Sequence, residues 1–559
     1  MAIVAGVDVG NSTTEIVIVD TAANPPTPMV WDRIPTRGIK GSVEAAEAAA
    51  LMTRRMAKRA GLQVEHVVVA PQHPVDSRTV LIAQPPPSTG RLGIIGCGTS
   101  TPAGAGTGVG LPRHIDSPID TSAPVVLVST DPRSYRQTAA RVNDWIATGA
   151  TVSGVVLAGD EAVLVANRVS VPIPVVDQVD TDAALVASLI AIEVSSTSLV
   201  NLTDPVRLSA LLHLDRSEHS YAESISAQLR GLRDAAVALQ THDHEPSQPS
   251  APIAQVRVDD HLADLATIAA QPLPARQSGD LTLDGHTWQP FRDLWLVDLA
   301  EVADTTAIRP RSVNERALSM ALLHDVSERS TASPGSVIAD ELGISVSMVA
   351  SEVAAARMGA ISTPAANPDA MILDLGGGTI DAALSDDESV VVAGAGDLLT
   401  AAVAHILGIP RGAAEWVKRE PSARLEGPHV LVGEDGVRRF VDMAVPADAV
   451  GALVVSGPAG LLPFGGNLAP GEWRMLRQQL KRAVISHNIA RATRDVDTKR
   501  DVILVGGPAG DPELLDMAVR ALRGCTPGRA DVAGQLGHRW AVAYGLTLLH
   551  QQGASESVR

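Results

Sequence analysis

The chain has 559 residues, room for two to four domains and a sizeable core. Hydrophobic residues make up 45% of it but aromatics only 2%, so the core must be built from Val, Leu, Ile and Ala. Lys and Arg number 45 against 63 Asp and Glu, and a formal charge of −18 argues against nucleic acid as a main partner, which needs basic surface. The two cysteines, Cys97 and Cys525, give neither a disulfide framework nor a zinc site. No basic stretch precedes the first strand, so no signal peptide is expected, and no apolar run reaches membrane-spanning length. The acidic balance fits a cytoplasmic protein.

The chain opens on a strand, Ile3 to Val7, followed by Asp8 and a polar turn with Gly10, Asn11, Ser12 and Thr13 that runs into Ile16 to Val19. Val43 to Ala60 is Ala-rich and predicts a helix ended by Gly61; Glu65 to Ala70 predicts a buried strand. After Pro85-Pro86-Pro87, the glycine-rich run Gly90 to Gly110 lacks dinucleotide-fingerprint spacing and predicts a shaped loop. Strands at Val125 to Ser129, Val152 to Ala158, Val163 to Ala166 and Val171 to Val176, with a helix over Tyr135 to Thr148, predict a compact α/β unit inserted into the rest. Helices are expected over Ala183 to Glu193, in stretches of Leu208 to Gln240, over Glu315 to Arg329 and over Ile344 to Arg357. Thr241 to Pro252 is a linker by composition, and its His242, His244 and Glu245 read as solvated rather than metal-binding.

Met371 to Leu384 repeats the opening design. An apolar run leads to Asp374, then Gly376, Gly377, Gly378 and Thr379, then a second strand carrying Asp381. Glycines let the turn's N–H groups face outward, a concave donor array that suits phosphate oxygens. This is not a P-loop, because no Gly-Lys-Ser/Thr opens a helix. Two copies far apart predict a duplicated domain with a phosphate clamp between its halves. Gly394 to Asp397 begins a further turn before a helix over Leu398 to Leu407. Glu472 to Thr493 predicts a long helix whose basic residues form a solvated face. In the last piece, Asp501 to Gly510, a buried strand ends in Gly506 and Gly507, which would let backbone pack flat against adenosine.

These pieces, in this order, resemble the ATPase core shared by actin, heat-shock chaperones and sugar kinases, with Ser351 to Ala356 and Trp540 to Gly545 resembling its two connecting helices. Ala5 to Glu15, Gly38 to Gly41, Thr101 to Gly106, Gly154 to Leu157 with Val163 to Arg168, Pro172 to Asp177, and Ala393 to Asp397 further resemble the large subunit of the reactivating factor for adenosylcobalamin-dependent diol and glycerol dehydratases. The likeness weakens between Ser195 and Leu294.

The resemblance implies an α/β protein. A duplicated actin-like (ribonuclease H-like) core would hold residues 1–85 and 301–559, with a swivelling α/β domain at 86–190 and a connecting region at 191–300. It implies an ATP-driven chaperone that releases damaged cobalamin, with a small partner subunit in a heterotetramer and a dehydratase as client. The address it implies is cytoplasmic or a bacterial microcompartment. Asp8 and Asp374 would orient Mg²⁺ and its waters. Gly10, Asn11, Ser12 and Thr13 from one lobe, and Gly376 to Thr379 from the other, would hold phosphate. Glu352 would orient the attacking water, and Gly506 and Gly507 would face the adenosine of ATP or ADP. A second cation, Mg²⁺ or Ca²⁺, would sit on Thr101, Asp160 and Asp177 where the family's inserted domain meets the small subunit; hard oxygen ligands suit either ion. A small-molecule kinase of the same fold is the alternative, but no catalytic Asp aimed at an acceptor hydroxyl is identified. A reactivase of ethanolamine ammonia-lyase is a close variant.

Overall fold

A computed structural model describes residues 2–83, 90–98, 103–118, 122–130, 134–241, 254–304, 315–324, 333–385, 388–419, 421–442, 445, 449–457, 460–465, 468–494, 496, 501–522, 524–525 and 527–556. The chain forms two compact units, residues 1–83 with 251–559 and residues 84–250.

The first unit contains the same sheet twice. One sheet runs Ser345–Met348, His66–Val69, Ile3–Val9, Thr13–Asp20, Thr27–Pro35. The other runs Pro527–Arg529, Val502–Val505, Met371–Leu375, Thr379–Ala383, Ser389–Ala393. In each, the strand that carries the key aspartate pairs antiparallel with its hairpin partner and parallel with its other neighbour. The expected duplication is therefore present, strand for strand. These strands are Val-, Ile- and Ala-rich because both faces are covered. The helix Val43–Ala60 covers one face. Ser42 caps it by accepting from the Ala45 N–H, and Gly61 closes it in the left-handed conformation.

Between the sheets lie the helices Glu352–Ile361 and Ala541–Glu556. They touch backbone to backbone: a Cβ on Gly359 would lie 1.9 Å from the Ala541 carbonyl oxygen, and one on Gly545 would lie 1.8 Å from that of Ala355. Their shared core is mostly Ala and Val, with the ring of Tyr544 fully buried in it. That is how a chain poor in aromatics packs its centre.

Several expectations are corrected. Glu315–Leu323 is a strand, not a helix, between Val75–Ala83 and Asp293–Asp298. Its Leu318, Met320 and Leu322 face one core and Ala321 and Leu323 another, so the period-2 alternation is erased and Leu/Ala content mimics a helix. Ala162–Ala166 is helical, and the helix Thr181–Val186 gives way to a strand, Leu189–Val194. The long helix spans Pro470–Ala492 with a π turn at Arg482–Ser486. Its basic residues form a solvated face only in part: Arg474 and Arg482 are exposed, but Arg477 is 1% and Lys481 0% exposed, paired with Glu434, Glu513 and Asp511.

The second unit is built on a seven-stranded sheet in the order Val175–Val176, Val152–Leu157, Val125–Ser129, Gly106–His114, Leu189–Val194, Asp234–Leu239, Leu92–Gly98. Gly90 to Gly110 thus supplies two strands rather than a loop. Glycine serves there because neighbours press in: a Cβ on Gly108 would lie 1.9 Å from the Ser153 carbonyl oxygen. Strands Leu189–Val194 and Asp234–Leu239 fall mostly in the stretch read as a connecting region, so the unit extends to residue 250 rather than 190. The linker histidines His242 and His244, with Glu245, lie outside the described residues. Among the described residues no helix is long and apolar enough to cross a membrane.

Candidate functional site

The two Asp-Gly turns share one hydrogen bond. Gly10 N–H donates to the Thr13 carbonyl at 2.9 Å, and Gly376 N–H donates to the Thr379 carbonyl at 3.0 Å. In the strands after them, Glu15 sits opposite Asp8 and Asp381 opposite Asp374. The turns pack against each other. A Cβ on Gly377 would come within 2.4 Å of Ser12 Oγ, and one on Gly378 within 2.7 Å of Asn11 Nδ2. Together they line a cleft of about 1220 Å³, ample for a nucleotide.

Side chains on the first turn are already committed. Asn11 Nδ2 donates to the Val75 carbonyl at 2.6 Å, tying the turn to the strand Val75–Ala83 of a neighbouring sheet. Ser12 Oγ donates to Asp397, and Thr13 Oγ1 donates to Glu15 at 3.1 Å. What this turn offers a phosphate is therefore chiefly backbone, with the Ser12 hydroxyl available once it leaves Asp397.

Behind the turns lies a cluster of carboxylates. Burial, reinforced by Glu352 and Glu15, pushes Asp374 up to about 7. Asp8 is raised by burial and by Glu352 and Glu15, and Asp381 by burial and by Asp374 and Glu352. Buried carboxylates this close resist ionising together. One Asp381 oxygen, Oδ1, is buried without a hydrogen-bond partner. Glu352, at the start of its helix, meets Lys40: Nζ donates to Oε2 at 2.8 Å and to Oε1 at 3.0 Å. Burial pulls Lys40 down, but Glu352 and Asp8 outweigh it, and its pKa is raised. Arg539 donates to Glu15 at 2.8 Å.

At the third piece, Gly506 takes φ 86°, and a Cβ there would meet the Leu375 carbonyl oxygen at 2.3 Å and Asp374 Oδ1 at 2.4 Å. Only glycine lets that strand end lie against the aspartate. Gly507 lies under the Arg539 guanidinium. The far wall of the cleft adds Lys418, whose Nζ donates to the Gly396 carbonyl and Thr400 Oγ1, both at 2.7 Å; burial lowers it to about 8.

The structure thus brings together Asp8, Gly10, Asn11, Ser12, Thr13, Glu352, Asp374, Gly376, Gly377, Gly378, Thr379, Gly506 and Gly507 around one cleft. Sequence reasoning missed Lys40, Asp397 and Lys418. Lys40 lies in the Gly38 to Gly41 stretch that carries part of the resemblance, but its partner is 312 positions away, and no local pattern points to it.

Carboxylate donors suit a hard cation here, and the orphaned Asp381 oxygen is a fitting observation. Yet among the described residues no three His, Cys, Asp or Glu side chains converge as a metal site by themselves. In the second unit, Asp177 Oδ2 accepts from the Ala162 N–H at 3.1 Å; burial raises its pKa, and Asp160 beside it raises it further. The two carboxylates are neighbours, whereas Thr101 lies outside the described residues.

Residues 283–550 match the diol dehydratase reactivase ATPase-like domain, and residues 91–245 match the swiveling domain of the same reactivating factor. The propanediol dehydratase-reactivating factor large subunit of Citrobacter freundii is 29% identical over 610 residues, covering 98% of each chain. The diol dehydratase-reactivating factor large subunit of Klebsiella michiganensis is 29% identical over 619 residues, covering 100% of each. Among solved structures, a diol dehydratase-reactivating factor in nucleotide-free form superposes with a TM-score of 0.68 at 25% identity, covering 99% of this chain and all of that one. A glycerol dehydratase reactivase superposes with a TM-score of 0.70 at 24% identity over 98% of this chain. With both of its domains matched and its whole length shared with these relatives, the chain belongs to the family of dehydratase-reactivating factor large subunits.

Proposed function

We propose that this chain is the ATP-driven large subunit of a factor that reactivates an adenosylcobalamin-dependent diol or glycerol dehydratase by releasing damaged cobalamin. The observation that carries the nucleotide reading is the pair of glycine turns with matching hydrogen bonds, meeting in one cleft over a carboxylate cluster. Family membership supports the client class.

In this reading the backbone N–H groups of both turns hold the β- and γ-phosphates. Asp8 and Asp374 would hold Mg²⁺, which would supply charge neutralisation on the phosphates. Glu352, fixed by Lys40, orients the attacking water. Lys40 also offsets negative charge growing on the transferred phosphoryl group. Phosphoryl transfer to water asks little covalent chemistry of the protein, so positioning and neutralisation suffice. Lobe closure on ATP and relaxation on ADP then alter affinity for the dehydratase, to the extent that the two nucleotides bind the two states differently. Asp160 and Asp177 are the proposed ligands of a second cation, Mg²⁺ or Ca²⁺, facing a small partner subunit in a heterotetramer. The proposed setting is cytoplasmic, in the open or within a bacterial microcompartment.

The test is recovery of activity from a glycerol-inactivated diol dehydratase given this chain, the small subunit, adenosylcobalamin and Mg²⁺. Recovery should require ATP and vanish with Asp8→Ala. Recovery without ATP, or undiminished recovery with that variant, would overturn the reading.

A further inference from the structure

The glycine turn at 376–378 does not orient itself. All three of its carbonyl oxygens accept from the turn at 394–397: Gly394 N–H donates to Gly378 at 2.7 Å, Asp397 N–H to Gly377 at 2.8 Å, and Gly396 N–H to Gly376 at 3.2 Å. A peptide group is planar, with its C=O and the following N–H pointing opposite ways. Tying back these carbonyls therefore turns the N–H groups of Gly377, Gly378 and Thr379 away from the 394–397 turn, in residues that line the cleft.

The 394–397 turn is in turn held from behind by a buried polar cluster. Asn488, 0% exposed, donates through Nδ2 to both the Ala393 and Gly394 carbonyls at 2.7 Å. Asp293, also 0% exposed, accepts from the Ala393 N–H at 2.7 Å. Arg491 joins the two: it forks onto Asp293, donates to Asn488 Oδ1 at 3.2 Å, and anchors on the Leu273 carbonyl at 2.8 Å. The π turn at Arg482–Ser486 stands directly before this helical segment. Such a turn shifts the register of the helical residues after it, and π turns often mark functional positions. Packing alone could have been met by apolar side chains. A fully satisfied polar cluster instead dictates one orientation for the two carbonyls it holds.

We propose that Asn488 and Arg491 are positioning residues for nucleotide phosphate: through residues 393–397 they hold the N–H groups of the 376–379 turn ready for the phosphate oxygens. This rests on the nucleotide reading above and deepens it. The role is selective, because neither residue is among those lining the cleft. Loss of either should weaken ligands that carry phosphate and spare the nucleoside.

The experiment is calorimetric titration of adenosine, ADP and ATP, with Mg²⁺, into the wild-type chain, Asn488→Ala and Arg491→Lys. Lysine keeps a charge beside Asp293 but cannot fork onto Asp293 and Asn488 together. The expected result is a loss of about ten-fold in ADP and ATP affinity with adenosine changed less than about two-fold, one lost charge-assisted or doubled hydrogen bond being of that order. An equal loss for all three ligands, or no loss for any, overturns the proposal. A wild-type chain that binds none of them overturns the nucleotide reading instead. Hydrogen exchange on the wild type guards against variants that fail to fold. The Gly394, Gly396 and Asp397 amides should be protected before nucleotide is added; free exchange there would also overturn the proposal.

Discussion

Among the described residues Lys40 is the cation bonded to Glu352, and Asp8, Asp374 and Asp381 crowd the same space. Lys40→Met should leave Glu352 uncompensated and slow ATP hydrolysis about 100-fold, the scale of removing one preorganised electrostatic partner, while adenosine binding stays unchanged. Single-turnover phosphate release measures it. The carboxylates also set a pH dependence. Asp374 is raised from an ordinary value of 3.8 to about 7, so the folded chain holds its proton more tightly than the unfolded chain does. The contribution of Asp374 to stability without nucleotide should therefore fall as pH rises from about 4 to about 7, and Asp8 and Asp381, raised likewise, add to the same fall. Thermal unfolding across pH 5 to 8 tests this. Asp374→Asn should flatten the profile, and Mg²⁺–ADP should stabilise more at pH 8 than at pH 5. Asp8 and Asp374 were legible in the sequence because each follows an apolar run and precedes a glycine. Lys40 and Asp397 were not, because their partners Glu352 and Ser12 lie 312 and 385 positions away, and Lys418 was not, because its bonds to Gly396 and Thr400 follow no local motif.

Among the elements, the two central helices carry the sharpest prediction. Gly545→Leu puts side-chain atoms where a Cβ alone would lie 1.8 Å from the Ala355 carbonyl, so the helices must part. Overpacking of this kind costs about 1–3 kcal/mol or more, and the melting temperature should drop. Gly553→Ala, on the same helix with nothing within 4 Å of the added Cβ, should be neutral or slightly stabilising. Equal melting temperatures for the two variants would mean the helices do not meet there. Helices with clear caps, such as Val43–Ala60, could be read directly. The Leu- and Ala-rich strand Glu315–Leu323 could not, since it shows no alternation once each face has its own core and its composition suits a helix as well. Arg477 and Lys481 in Pro470–Ala492 misled for a related reason: their acidic partners Glu434, Asp511 and Glu513 come from other elements, so a buried ion-pair network looks like a solvated face when read alone.

At the scale of the molecule, residues 84–250 form a unit with its own apolar clusters on both faces of a seven-stranded sheet. A fragment spanning 84–250 should fold alone and unfold in one cooperative step, whereas one ending at residue 190 loses strand Asp234–Leu239 and most of Leu189–Val194 and should not. Far-ultraviolet circular dichroism during denaturation distinguishes them. By itself the sequence determined the duplicated α/β core, the two glycine turns with their aspartates, and the presence of an inserted unit. Each of these is written locally, in apolar runs, glycines and their spacing. Only the tertiary structure decided where the inserted unit ends, which cation faces Glu352, and that a buried Asp293–Asn488–Arg491 cluster stands behind the phosphate turn. Those facts depend on pairings between residues tens to hundreds of positions apart. Such pairings leave no periodic trace along the chain, because burial and hydrogen bonding are settled by what lies opposite in space.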